Sequence, residues 1–157
     1  MSEPVSVRPA TRDDIPAMSR VLIASITELC HREHRNDPAL IADWTANKTP
    51  AGLAKFFDNP EVALFVAERT GEIAAVGCIG HNGWIRLNYV APGHRFTGVS
   101  KALLAAMEAA LRQGGIADAH LHSTKTAHRF YQAAGWIDDG APDLAGQMPS
   151  YPMRKRL

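Results

Sequence analysis

The sequence predicts a mixed α/β domain in which helices flank one central, mostly antiparallel sheet. Three observations lead there. Residues 62–90 read as three strands joined by tight turns, a β-meander. Two segments, one from about Asp13 to Cys30 and one around Leu103–Leu111, carry apolar residues at helical spacing. Short strand-like runs stand near both ends of the chain and between the later helices.

Val5-Ser6-Val7 alternates and reads as a first strand closed by Pro9. Thr11 and Asp14 have the spacing of a capping box. Ile15, Met18, Val21, Leu22, Ile26 and Leu29 then place one apolar stripe on a helix from about Asp13 to Cys30. Pro38 and Pro50 suit the first turn of short helices, about Pro38–Ala46 and Pro50–Asp58, because proline lacks an N–H that this position does not use. Val62–Arg69, Ile73–Ile79 and Trp84–Val90 form the meander. Asn82-Gly83 is the dipeptide of a two-residue hairpin turn with both residues at positive φ. Leu103, Leu104, Met107 and Leu111 mark a long helix ended by Gly114-Gly115, Ala119–His122 is a short strand, and Thr126–Ala134 is a helix with Gly135 past its end. A last strand is expected around Tyr151–Lys155.

A chain of 157 residues fits one domain, here residues 4–157. The formal net charge of +1 gives no electrostatic footprint for nucleic acid. Cys30 and Cys78 are too few and too far apart for a disulfide framework, and they read as reduced thiols. The opening residues lack an apolar signal core, and no run approaches the roughly 18 apolar residues of a membrane span. A cytoplasmic protein without membrane or nucleic-acid partners is the expectation.

The chemistry concentrates in Val90-Ala-Pro-Gly-His-Arg-Phe-Thr-Gly-Val-Ser-Lys101, where a strand gives way to a glycine-containing loop and then a helix. Unpaired N–H groups and the positive end of a helix dipole converge there, which suits a phosphate. Gly93 and Gly98 have the separation of P-loop glycines, but Val99 stands where that loop needs lysine and Lys101 comes too late. The Rossmann glycine pattern is absent from the loop. A plain strand-to-helix turn is the alternative to a ligand site.

This segment resembles the cofactor loop of the GNAT superfamily of N-acetyltransferases, V-x-P-x-x-[RQ]-x-x-G-x-[GA], through Val90, Pro92, Arg95 and Gly98, with Ser100 at the last position. Ala127-His-Arg-Phe-Tyr-Gln-Ala-Ala-Gly-Trp136 is similar to the family's A-x-x-F-Y-x-x-x-G-[FY] helix, with Thr124 where asparagine is frequent. Weaker echoes span nearly the whole chain in the right order. The resemblance implies a GNAT-like fold and transfer of an acetyl group from acetyl-coenzyme A to a primary amine by direct attack. It implies that Arg95, Phe96, Thr97, Gly98, Val99 and Ser100 hold the pyrophosphate through their amides, with Val90 and Thr124 as further contacts. Tyr131 would protonate the departing thiolate, and the Val90 N–H would polarise the carbonyl. Read on helical spacing without the resemblance, Tyr131 is rather a core aromatic beside Phe130. The family's frequent meander glutamate is missing between Trp84 and Val90, which leaves His120 or His122 as a proton relay. Glu33 and Asp37 fall where the family builds its acceptor pocket and would attract a cationic amine. His31, His34, His81, His94 and His128 lack metal-ligand spacing, so no metal is expected, and nothing places a base beside Cys78 for covalent catalysis. A homodimer is common among similar proteins. A catalytically silent acyl-coenzyme A sensor is the second reading, and an ATP-binding domain the third.

Overall fold

The computed structural model describes residues 4–144 and 148–157. Strand β1 (Val5–Pro9) leads through a 3-10 turn into α1 (Ile15–Leu29), followed by the one-turn α2 (His31–His34), α3 (Pro38–Thr45) and α4 (Pro50–Asp58). The meander is β2 (Val62–Arg69), β3 (Glu72–Gly80) and β4 (Ile85–Val90). After it come α5 (Val99–Gln113), β5 (Asp118–Ser123), α6 (His128–Ala133), β6 (Ile137–Asp138) and β7 (Tyr151–Arg156).

The strands form two sheets rather than the single one expected. Antiparallel β1-β2-β3-β4 makes the first, and β5-β7-β6 the second. They meet edge to edge at one parallel bridge, Trp84 with His120, where the His120 N–H donates to the Gly83 carbonyl at 2.9 Å. Beyond that bridge β4 and β5 part.

Helices cover both faces of the first sheet. On one face Met18, Val21 and Leu22 of α1 and Leu53 of α4 pack on Leu64, Val66, Val76, Cys78 and Leu87. On the other, Leu103, Leu104, Met107 and Leu111 of α5 pack on Ala67, Ala75 and Ile79, and this core continues through Leu121, Tyr131, Trp136 and Met153 of the second half. Burying each large apolar side chain contributes about 1.5–3 kcal/mol. Helix α5 sits close because β3 offers Gly77, where a β-carbon would come within 2.6 Å of the Met107 sulfur.

The termini follow the local chemistry. The Asp14 carboxylate accepts the Thr11 N–H at 2.8 Å and is paired with Arg8, which holds its pKa well below the usual carboxylate range, at about 2. Thr49 caps α4 through Gly52, and Gly115 and Gly135 adopt positive φ beyond α5 and α6. The 82–83 turn differs from expectation. Only Gly83 has positive φ, and the loop spans His81–Gly83, with Gly80 N–H donating to Trp84 and Gly83 N–H donating back to Gly80. The extra residue is absorbed by a register shift at Cys78/Ile79. Helix α6 also starts later than the expected Thr126, at His128, after a turn. Both cysteines are buried and unpaired, and burial pushes each thiol up to about 12. Among the described residues no helix is long and apolar enough to cross a membrane.

One buried polar group locks α6 in place. Glu108 of α5 is 6% exposed, accepts from the Trp136 indole at 3.2 Å and pairs with Lys155 of β7 at 2.7 Å. The same ammonium donates to the Ala134 carbonyl at the end of α6. Glu108→Ala strands a half-buried ammonium and a buried indole N–H, at a cost of about 3 kcal/mol. Urea denaturation should show that loss; a change under about 0.5 kcal/mol would mean that the network organises nothing.

Candidate active site

The parting of β4 and β5 opens a cleft of about 360 Å³. Its floor is β4, one wall comes from Leu121–Thr124 and α6, and its rim from the 95–101 loop and the end of α1. The Ala91 N–H donates to the Ala74 carbonyl, and Val90 pairs opposite Ala75. Amides alternate along a strand, so those of Asn88 and Val90 turn away from β3 and toward the open side. The Val90 N–H, the expected donor, thus points into the opening.

Helix α5 begins at the mouth of the cleft. Its N-cap, Gly98, has φ +85 and makes no side-chain capping bond, while the first backbone bond of the helix runs from Ala102 N–H to the Gly98 carbonyl. The amides of Val99, Ser100 and Lys101 are left without intrahelical partners and add to the positive end of the helix dipole. A β-carbon at Gly98 would have free space, so the glycine is required by its torsion. Phe96 also has positive φ (+61), is 93% exposed and lies under the Arg95 guanidinium, 4.7 Å from the ring centre. Arg95, Phe96, Gly98 and Ser100 line the cleft. The side chains of Thr97 and Val99 do not. The Thr97 hydroxyl donates back to the His94 carbonyl at 2.6 Å, and Val99 is core. Thr124 is on the wall, but its hydroxyl oxygen is engaged, accepting the Ala127 N–H at 3.1 Å.

Tyr131 faces this opening from α6. It packs edge-on against Phe130 and Trp136, as the core reading of the residue expects. Its hydroxyl oxygen accepts a hydrogen bond from Asn88 Nδ2 at 3.0 Å. That contact occupies a lone pair and leaves the O–H proton free to be donated. Burial pushes the phenol up to about 12, partly opposed by Asn88, so it is protonated at neutral pH. Asn88 and Lys101 line the cleft and were missed in the sequence. Asn88 carried a signal, since it is the polar side chain placed directly opposite Gly77 on the face that α5 and α6 cover.

The acidic residues behave differently from expectation. Asp37 does not reach the cleft; its carboxylate accepts the Ala39 N–H and caps α3. Glu33 is 2% exposed. Its Oε1 accepts from the Thr126 hydroxyl at 2.5 Å, and its Oε2 has no partner among the described residues. Arg35 and Asn36, both at positive φ, end α2 after one turn, and His34 pins the corner by donating from Nε2 to the Ile26 carbonyl while Nδ1 accepts the Asn36 N–H. Thr126 lines the cleft, so the carboxylate lies one hydroxyl away from it. Of the two strand histidines, only His122 reaches the cleft; its ring stacks on Trp84 and Nδ1 meets Ser150 at 3.0 Å. His120 lies 3.8 Å from Asp139 instead.

A sequence profile described as an acetyltransferase (GNAT) domain matches residues 18–157. The chain belongs to the GNAT acetyltransferase family. No curated protein matches it by sequence. Among solved structures, a GCN5-related N-acetyltransferase from Rhodopseudomonas palustris superposes with a TM-score of 0.86 at 18% identity, over 100% of this chain and 99% of that one. The PaiA N-acetyltransferase of Thermoplasma acidophilum, solved in complex with coenzyme A, gives 0.80 at 15% identity over 98% and 99%. YncA of Salmonella typhimurium, solved with its cofactor acetyl-CoA, gives 0.68 at 15% over 98% and 94%. At these identities the likenesses establish the GNAT fold.

The Tyr131 environment has a measurable consequence. In the unfolded chain a phenol ionises near pH 10, whereas here it stays protonated to about 12. Folding stability from this group is therefore full below pH 10 and is lost as pH rises toward 12. Urea unfolding of Tyr131→Phe should fall less steeply between pH 9.5 and 11.5 than that of the native protein; parallel curves would contradict the buried phenol.

Proposed function

We propose that residues 4–157 act as one N-acetyltransferase domain that transfers acetyl from acetyl-coenzyme A to a primary amine by direct attack, both substrates being bound together. The observation that carries this is the pairing, across one cleft, of an uncapped helix N-terminus with a buried tyrosine whose hydroxyl proton is free. Acetyl-coenzyme A supplies a thioester at one end and anionic phosphates at the other. The residues fit both ends. The orphan amides of Val99, Ser100 and Lys101, with Arg95 beside them, suit the pyrophosphate, and the apolar walls from Ile85, Leu87, Leu121 and Phe130 suit the uncharged arm between.

In this reading the Val90 N–H polarises the acetyl carbonyl; preorganised donors of this kind contribute a few kcal/mol in enzymes. A C–N bond forms as the C–S bond breaks, and Tyr131 delivers its proton to the leaving sulfur. The proton lost by the amine passes to the Thr126 hydroxyl as that hydroxyl gives its own proton to Glu33. Glu33 is favoured over His122 because it is buried, has an unpartnered oxygen and is already hydrogen-bonded to a residue of the cleft wall, while His122 is exposed and engaged by Ser150.

Isothermal titration should give one-to-one binding of acetyl-coenzyme A at micromolar affinity, about −8 kcal/mol, with no heat from ATP–magnesium. Absence of binding at millimolar acetyl-coenzyme A would sink the proposal. Tyr131→Phe should keep that affinity and lower the rate of coenzyme A release at least about 10²-fold; in a silent sensor neither quantity changes. Glu33→Gln should leave acetyl-coenzyme A binding intact and cut kcat on the order of 10²-fold. An unchanged kcat would remove Glu33 from the proton path.

A further inference from the structure

Next to the cleft lies a second hollow of about 730 Å³, and Leu29, Arg95 and Thr126 belong to the walls of both. Arg32, Arg95, Lys125 and Arg129 line it. Among the described residues none of these four has a carboxylate partner, and Glu28 is the one acid on the wall. The cations come from three separate stretches of chain: α2, the loop after β4, and the turn into α6 with that helix's first residues. A local run of basic sequence therefore does not explain their meeting, and the whole chain carries a net charge of only +1. Like charges gathered on a concave wall repel one another and focus a positive potential into the hollow. An anion relieves both, and guanidinium groups hold carboxylate or phosphate oxygens through paired hydrogen bonds.

The hollow is separate from the helix terminus assigned to the cofactor. Gly98 and Ser100 line the cleft and not the hollow, and Arg95 stands on the divide. An amine entering from the hollow reaches the cleft between Leu29 and Thr126, beside the hydroxyl that Glu33 holds. We propose that the hollow binds an anionic group on the acceptor, a carboxylate or phosphate, so that the acceptors of this enzyme are small zwitterionic amines. This rests on the acetyl-transfer reading of the cleft. It replaces attraction of a cationic amine by Glu33 and Asp37 with recognition of the acceptor's anionic end by Arg32, Lys125 and Arg129.

Inorganic phosphate is the probe, titrated at constant ionic strength into protein saturated with coenzyme A. The expected result is saturable millimolar binding that Arg32→Ser/Arg129→Ser weakens at least tenfold, with coenzyme A affinity unchanged in that variant; both side chains are exposed, so folding is not at stake. Failure of the native protein to bind phosphate, or equal binding by the variant, overturns the proposal. So does phosphate binding that is lost with coenzyme A but retained with dephospho-coenzyme A, because the hollow then holds the cofactor's own 3′-phosphate. If coenzyme A does not bind at all, the acetyl-transfer reading fails first, visibly, and the acceptor assignment goes with it.

Discussion

Strand β4 must have one edge without a partner. Everything that defines the cleft follows from that constraint. A strand buried within a sheet normally exchanges hydrogen bonds on both sides, and an unpaired buried N–H costs free energy comparable to a lost hydrogen bond. Here the two sheets join at Trp84 and His120 and then part, so the amides of Asn88 and Val90 face open space. The arrangement persists because other contacts over-determine it. Helix α5 is seated against Gly77 on one side, and the Glu108–Lys155 pair clamps the second sheet and α6 to that same helix. The parting is thus held from behind, by α5, and the edge stays available to a ligand.

The same clamp gives Tyr131 its setting. Its ring is locked among Phe130 and Trp136, and Asn88 holds the hydroxyl from the facing strand. A phenol buried in this way is a poor acid in bulk terms and keeps its proton at neutral pH. Core packing and a place on the cleft wall are thus compatible descriptions of this residue.

The elements were legible where periodicity or turn chemistry acts locally. The α1 stripe, the two proline-started helices, the meander and the glycines after α5 and α6 all sit within a residue or two of expectation. The hairpin at 81–83 was misread because a tertiary bridge, His120 to Gly83, selects a longer loop than the Asn-Gly dipeptide prefers. The division into two sheets was invisible for a related reason: strand parting is set by packing from α5, and no strand sequence encodes it alone. At the site, the 95–100 loop and Tyr131 were accessible through motif spacing. The inward turn of Glu33 and its link to Thr126 were not, since they join positions far apart in sequence through a corner made by consecutive left-handed residues.

That corner divides the molecule's labour along the chain. The floor and one rim of the cleft come from residues 85–101, while the opposite approach is built by residues 25–33 and 125–129. Helix α2 is a single turn stopped by Arg35 and Asn36, and among the described residues its backbone makes no backbone hydrogen bond to either sheet. Surface loops absorb changes in length at little entropic cost. Changes confined to the exposed residues 35–37 can therefore reshape that approach, whereas Glu33 and His34, buried at the same corner and tied to Thr126 and Ile26, leave the first turn little freedom to vary.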